Sequence, residues 1–442
     1  MAVNYFHSVR LDRDKCRGCT NCIKRCPTEA IRIRDGKAFI FEERCIDCGE
    51  CIRVCQNHAK VVYTDPWERL TEVSRSVALP APSFFGQFRP EVRPGQVIAA
   101  FRDAGFDAVY EVALAADAVG IAIKRYLREH RTPRPLISSA CPAVVRLIQV
   151  RFPGLIQHII PIESPMEMAA RLAKARYGEA VGTFFITPCP AKVTASKQPV
   201  GLSQSAVDGV ISATEAYRRL LGQVLKAPDD AAAQRASGWG IGWGRSGGEC
   251  IGLDANTLAV DGIHNVISVL DEVERGKLRD VDYLEAQACT SGCVGGPLAV
   301  ENPFVARVRI RRLSEGLAAR AAGDGIEGLD QLVEEGFFQL RNPLEPRPPS
   351  PLDQDMAVAI AKMEQLERTE EALPGLDCGA CGAPSCRALA EDIVRGLAVK
   401  TDCMFELRER VTELAEELAA LSRQAPPAMG TTDNHGKRGG KK

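Results

Sequence analysis

A chain of 442 residues with 45% apolar side chains can bury a large core and is long enough for about two to four domains. Its formal net charge of -1 supplies no field for nucleic acid or an anionic membrane; its most apolar stretch, residues 112–123, carries Asp117 and is too short to span a bilayer. Seventeen cysteines, grouped in C-x-x-C units behind an N-terminus with no apolar signal region and no twin-arginine pair, point to metal-binding thiolates in a reducing cytoplasm rather than to secreted disulfides.

Residues 10–63 carry an internal duplication. The run Cys16, Cys19, Cys22, Cys26 recurs 29 residues later as Cys45, Cys48, Cys51, Cys55. Two-residue gaps let one loop wrap a cubane, and four thiolates are the usual ligand set of a 4Fe-4S cluster. In the bacterial ferredoxin pattern, which these runs resemble, the fourth cysteine of each run ligates the other cluster. Cys16, Cys19, Cys22 and Cys55 would then hold one cluster, and Cys45, Cys48, Cys51 and Cys26 the other. Pro27 follows the first run as that pattern expects; Gln56 stands there in the second. Structural zinc is the plainer alternative. Between the copies, residues 30–41 alternate around Asp35-Gly36, which predicts a β-hairpin with a tight turn. His58 is expected at the surface. Residues 1–63 are therefore predicted as a two-cluster, ferredoxin-like α+β domain.

From residue 75 to 340, helical periodicity alternates with short apolar runs, the signature of an α/β domain with small parallel sheets. Three strands are expected at Leu136–Ala140, Thr183–Thr187 and Tyr283–Ala288. Cys141, Cys189 and Cys289 sit at or just past their C-terminal ends, the edge where open α/β sheets place ligands. With Cys293 they form a third set of four. Isolated cysteines are most often small buried hydrophobes, the reading kept for the remaining Cys250. Residues 226–238 look like a surface insertion.

A Pro-rich linker, 341–352, precedes a fourth set at Cys378, Cys381, Cys386 and Cys403 in a small helical module, residues 353–405. A helix over Arg387–Arg395 should return Cys403 to this site, again with zinc as the alternative. Residues 406–424 are predicted as an amphipathic helix, with Leu407, Val411, Leu414, Leu418 and Leu421 spaced four and three apart. That stripe would pack on its own module or pair two chains into a homodimer. The tail 425–442 is Gly- and Lys-rich and is expected to be disordered.

The local contexts of the middle set carry a resemblance. Ser138-Ser-Ala-Cys141-Pro142, Thr187-Pro-Cys189-Pro-Ala-Lys192 and Glu285-Ala-Gln-Ala-Cys289-Thr-Ser-Gly-Cys293-Val-Gly-Gly296 resemble, in order, the three signature loops of the FeFe-hydrogenase catalytic domain. Ala81-Pro82-Ser83 and Glu163-Ser164-Pro165 resemble two further elements of that family, and Ser246-Gly247-Gly248 one of its glycine turns. The resemblance implies a two-lobed α/β domain in which Cys141, Cys189, Cys289 and Cys293 ligate a cubane. Cys293 would bridge to a diiron subsite carrying carbonyl and cyanide ligands. Lys192 and Ser83 would donate hydrogen bonds to the two cyanides, and Gly292, Gly295 and Gly296 would let backbone pass close to the cluster. Pro297 stands where the family usually has a glycine. The cofactors implied are four 4Fe-4S clusters and the diiron unit; the substrates are H2 and protons. The partners are ferredoxin or another electron carrier and a diiron maturation machinery.

The C-terminal set resembles the four-cysteine cluster module of electron-transfer complex subunits and corrinoid iron–sulfur proteins. The central set also departs from its family. Ala140 stands where active members have a proton-passing cysteine, and Ile123 and Ile160 where their relay has a glutamate and a serine. Thr187 and Gln287 replace methionines expected around the diiron site. Branches that sense hydrogen or turn over slowly share these losses. Slow H2 chemistry or sensing is therefore expected. The alternatives are a non-catalytic electron-transfer or cluster-handling protein without the diiron unit, and a subunit feeding a corrinoid or membrane complex. No nucleotide or flavin fingerprint is evident, so direct use of NAD is not expected.

Overall fold

The computed structural model describes residues 5–230, 232–347 and 351–424. The chain divides into two compact units, Met1–Ser350 and Pro351–Lys442.

In the first unit the duplicated segment folds around two short helices, Asn21–Lys24 and Glu50–Arg53, each inside one cysteine run. Strand β1 (Val9–Leu11) pairs with β4 (Lys60–Val62), closing the segment on itself; β2 (Ile31–Arg34) and β3 (Lys37–Ile40) form the expected antiparallel hairpin. Asp35 and Gly36 both adopt positive φ, 51° and 67°, as a type I′ turn requires and as an aspartate and a glycine tolerate. This segment is continuous with the α/β part of the unit: Ser8 Oγ donates to the Pro190 carbonyl at 2.7 Å and Asp65 Oδ2 accepts from Val210 N at 2.8 Å.

Two parallel sheets make the two lobes of the α/β part. Strands β5 (Ser76–Pro80), β6 (Ala108–Val109), β8 (Gly182–Thr187) and β9 (Gly209–Ser212) form one, in the order β6-β5-β8-β9. Strands β7 (Leu136–Ile137), β10 (Thr257–Asp261) and β11 (Tyr283–Gln287) form the other, in the order β10-β11-β7. Every residue of β5, β8 and β11 is buried, as parallel strands covered on both faces should be. Each sheet carries its own apolar core: Phe84, Phe101, Phe184 and Phe185 against the first, Val144, Leu147, Ile267 and Leu284 against the second.

Two expectations need correction. The strand expected over Leu136–Ala140 ends at Ile137; Ser138 N still donates to the Leu284 carbonyl at 3.0 Å, and its hydroxyl turns to the carboxylate of Glu249. The second half of 226–238 is not a surface insertion. Gln234, Ala236 and Ser237 are buried, and the carboxylates of Glu111 and Asp117 accept backbone N–H groups from 235–237 and 240. Asp117, the charge inside the most apolar stretch, thus anchors that segment from the core helix Val112–Glu129. No helix among the described residues is long and apolar enough to cross a membrane.

The second unit holds the helices Met356–Glu371, Cys386–Val394 and Met404–Ser422. Ser385 caps the middle one, accepting from Ala388 N at 3.1 Å. The tail 425–442 lies outside the described residues.

Candidate metal centre and the cavity beside it

Three of the four distant cysteines are delivered by strand ends, and two of these by one local device. Cys141 and Cys189 each take the N-cap of a helix, Pro142–Arg151 and Pro190–Lys197, with proline at the first helical position. A strand end, a cysteine and a proline-started helix aim the thiol outward and set it in the field of free N–H groups, which favours a thiolate. Cys289 lies two residues past β11, and Cys293 opens a short turn behind it. Cys141 and Cys289 come from one lobe and Cys189 from the other, so the site sits where the two sheets face each other. A side chain at Gly292 (φ +88°) would strike Gln287 Oε1, and one at Gly296 would strike the Pro188 carbonyl.

All four thiols of this set interact electrostatically. Burial pushes Cys289 up to about 12, with Cys189 and Cys141 adding to the rise. Burial raises Cys293 further; Lys192 opposes the rise, while Cys141, Cys289 and Cys189 add to it. Four crowded, water-poor sulfurs can all ionise only around positive charge, which is what iron supplies.

The same logic groups the other sets. Cys22 is pushed up to about 11, by burial first and then by Cys19, Cys16 and Cys55 against the opposing charge of Lys60. Cys48 and Cys51 are raised by burial and by Cys26 from the other run. A cavity is lined by Cys26, Cys45, Cys48 and Cys51 together, and in the second unit another by Cys378, Cys381, Cys386 and Cys403. Cys26 thus shares a cavity with three cysteines of the second run, and Cys55 of the second run is felt at Cys22 in the first. His7 Nδ1 lies 2.8 Å from Asp47 Oδ2 beside Cys45, a contact the spacing pattern did not reveal. Arg53 bridges to the middle set: it donates to the Gly295 carbonyl and feels both Cys48 and Cys289. His58 is exposed, and Cys250 is half-buried and joins no set.

Next to the middle set lies a cavity. Its lining includes Cys141, Cys189 and Cys293, together with Ser83, Lys192, Ala140 and Gln287. Three buried polar atoms here have no hydrogen-bond partner: Ser83 Oγ, Trp243 Nε1 and Gln287 Oε1. Lys192 Nζ reaches the Ala140 carbonyl at 3.1 Å. Orphaned polar groups at a buried position cost about 1–3 kcal/mol each. A space bordered by a thiol, an ammonium, a hydroxyl and an indole N–H fits a bound group that carries acceptor atoms and net negative charge.

Thr187 corrects an expectation. It does not line the cavity; its hydroxyl accepts from Cys189 N at 3.0 Å and shapes the loop instead. Of the two polar replacements only Gln287 faces the space. Ala140 lines it, with Val112 and Ala116, while Ile123 and Ile160 are fully buried. That side offers no titratable group.

Sequence reasoning passed over Trp243 and Glu249, which both line the cavity. Glu249 accepts from Ser138 Oγ at 2.9 Å and from the Tyr283 hydroxyl. Burial, then the neighbouring Glu285, raises its carboxyl. A second chamber shares Lys192 and Met166 with the first and is lined by Glu163, whose carboxyl burial pushes up to about 8. A glutamate in a strand otherwise apolar, Tyr283-Leu-Glu-Ala, was the available signal.

Comparison with known proteins places the chain in a family. The family model described as iron only hydrogenase large subunit, C-terminal domain, matches residues 74–250 and 244–297, just over half of the chain. A 4Fe-4S dicluster domain matches residues 8–56 and a Fe-S cluster domain residues 373–405, so the chain carries iron–sulfur clusters. The periplasmic Fe hydrogenase large subunit of Nitratidesulfovibrio vulgaris is 27% identical over 72% of this chain and 92% of its own length. Iron hydrogenase 1 of Clostridium pasteurianum is 24% identical over 63% of this chain and 54% of its own. A FeFe-hydrogenase structure from Chlamydomonas reinhardtii aligns with TM-score 0.47 and 15% identity over 64% of this chain and 97% of its own. The chain belongs to the family of iron-only hydrogenase large subunits.

Proposed function

We propose that this protein is a cytoplasmic, multi-cluster redox protein that handles H2 slowly, as a low-turnover hydrogenase or a hydrogen sensor. Four 4Fe-4S clusters would be held by Cys16, Cys19, Cys22 and Cys55; by Cys45, Cys48, Cys51 and Cys26; by Cys141, Cys189, Cys289 and Cys293; and by Cys378, Cys381, Cys386 and Cys403. A diiron subsite fits beside Cys293. The observation that carries this is the cavity itself, whose polar wall has donors with nothing to bond. When bound, the diiron group supplies the open metal at which H2 is split into two protons and two electrons.

This chain's residues divide the remaining work. Lys192 places an ammonium at the cavity, where a charge-assisted bond is roughly twice as strong as a neutral one. Ser83 and Trp243 offer further donors. Val112, Ala116 and Phe185 keep that space dry. Glu249, whose carboxyl burial raises, sits at the cavity edge and accepts from Ser138 Oγ at 2.9 Å. Arg53 lies between the second ferredoxin-type set and Cys289, where an electron passing between those centres would cross.

Short similarities, 38% over 58 residues to a Methanothermococcus ferredoxin and 43% over 44 residues to a subunit of an ion-translocating oxidoreductase complex, support an external electron carrier such as ferredoxin. A maturation machinery would install the diiron unit, and pairing through the C-terminal helix would join two chains. A second reading, a non-catalytic electron-transfer or cluster-handling protein, is favoured by the apolar Ala140 side. Exposure of anaerobically matured protein to H2 separates them. Reduction of the clusters over minutes, followed by visible absorbance, supports the proposal. Clusters that stay oxidised under H2 while dithionite reduces them support the second reading.

A further inference from the structure

Among the described residues, the helix Met404–Ser422 is packed against almost nothing. Met404, Leu407, Val411, Leu414, Leu418 and Leu421 form one stripe along it, each between 42% and 67% exposed. A stripe folded onto its own module would be covered, so that half of the expectation fails. Spacings of three and four residues keep these side chains on a single seam, the pattern that needs a second helix running alongside. In heptad terms Met404, Val411 and Leu418 occupy a, and Leu407, Leu414 and Leu421 occupy d.

The charges beside the seam select the partner and its direction. The positions flanking a, called g, hold Arg410 and Glu417; those flanking d, called e, hold Arg408 and Ala415. In a parallel pair g faces e, so Arg410 would meet alanine and Glu417 would meet Ser422. In an antiparallel pair g faces g and e faces e. Met404 then packs against the partner's Leu421, Leu407 against the partner's Leu418, and Val411 against the partner's Leu414. All six apolar residues are used with no overhang. That register brings Arg410 opposite the partner's Glu417, and two-fold symmetry repeats the ion pair on the other side. In the single chain Arg410 makes a local pair with Glu413 at 2.9 Å.

We infer that this helix is an antiparallel homodimer clamp, closed by the apolar seam and oriented by two reciprocal Arg410–Glu417 pairs. The inference deepens the pairing proposed above by giving its direction, register and specificity, and it does not depend on H2 chemistry. Exposed pairs add little stability but penalise wrong arrangements, so they act here as the orientation code.

The test is the sedimentation mass of the full-length, cluster-loaded chain under argon at low salt. The expected result is a dimer for the unaltered chain and a monomer for Leu414→Glu. Arg410→Glu and Glu417→Arg, each alone, should weaken the dimer about tenfold by placing like charges opposite one another. The doubly swapped chain, R410E with E417R, should regain it, and an equimolar mixture of the two single variants should form mixed dimers. Helix content from circular dichroism keeps unfolding distinct from dissociation. A monomeric unaltered chain overturns both the pairing and the clamp. A dimer lost with Leu414→Glu but indifferent to the charge swaps keeps the pairing and overturns the antiparallel register.

Discussion

The central cavity has two unlike walls. One presents Lys192, Ser83 and Trp243, a set of donors held in place with few partners of their own. The other presents Ala140, Val112 and Ala116; Ile123 continues it, seven residues beyond Ala116 and so on the same face of the helix Val112–Glu129. The first wall is built to hold a polar, anionic group. The second carries no titratable side chain of its own. Holding a catalytic group and servicing it with protons are separable tasks, and this chain retains the means for the first while changing the second.

The largest effect is expected from repairing the apolar wall. Ala140→Cys adds a thiol at the cavity, and H2 oxidation by matured protein should rise about 10²–10⁴-fold, the usual contribution of a positioned acid–base group. No rise would mean that proton supply through this wall does not limit the rate.

Damage to the polar wall ranks next. Lys192→Met removes its cation, and retention of the diiron unit should fall about 10–100-fold, read as iron per chain after gel filtration. Ser83→Ala should act in the same direction but less, about tenfold at most. Because the Ser83 hydroxyl is buried with no partner in the unloaded chain, the same change should raise unfolding stability by about 1–3 kcal/mol.

The smallest effect concerns the chamber behind Lys192. Glu163, pushed up to about 8 by burial, takes up a proton on folding whenever the pH lies between the ordinary glutamate range and that value. The stability it contributes is full below the ordinary range and is lost as pH rises through about 8, with a slope of at most about 1.4 kcal/mol per pH unit. The thermal midpoint should therefore fall from about pH 5 to pH 8, and Glu163→Gln should flatten that fall. An unchanged pH profile in the variant would place the proton uptake elsewhere.

How much was legible in the sequence depends on distance along the chain. The Asp35-Gly36 turn and the two ferredoxin runs are local, and spacing alone foretells the hairpin and the two cysteine runs. The convergence of Cys141, Cys189 and Cys289 is not local, yet each stands after a strand and before a proline or glycine turn, so the edge rule of parallel sheets found them. Glu249 and Trp243 escaped because nothing near them in sequence shows that they face Cys293 across the cavity. Thr187 was read as a pocket residue, but its hydroxyl is close enough to its own backbone to cap the Cys189 loop. The burial around 234–238 escaped too, since its partners, Glu111 and Asp117, lie more than a hundred residues earlier.

Infrared spectroscopy of protein matured anaerobically with the diiron-assembly machinery tests the central claim most directly. The polar wall predicts carbonyl and cyanide stretches from a bound diiron group, with the cyanide bands shifted in Lys192→Met. A fully cluster-loaded protein with no such bands after maturation would contradict it.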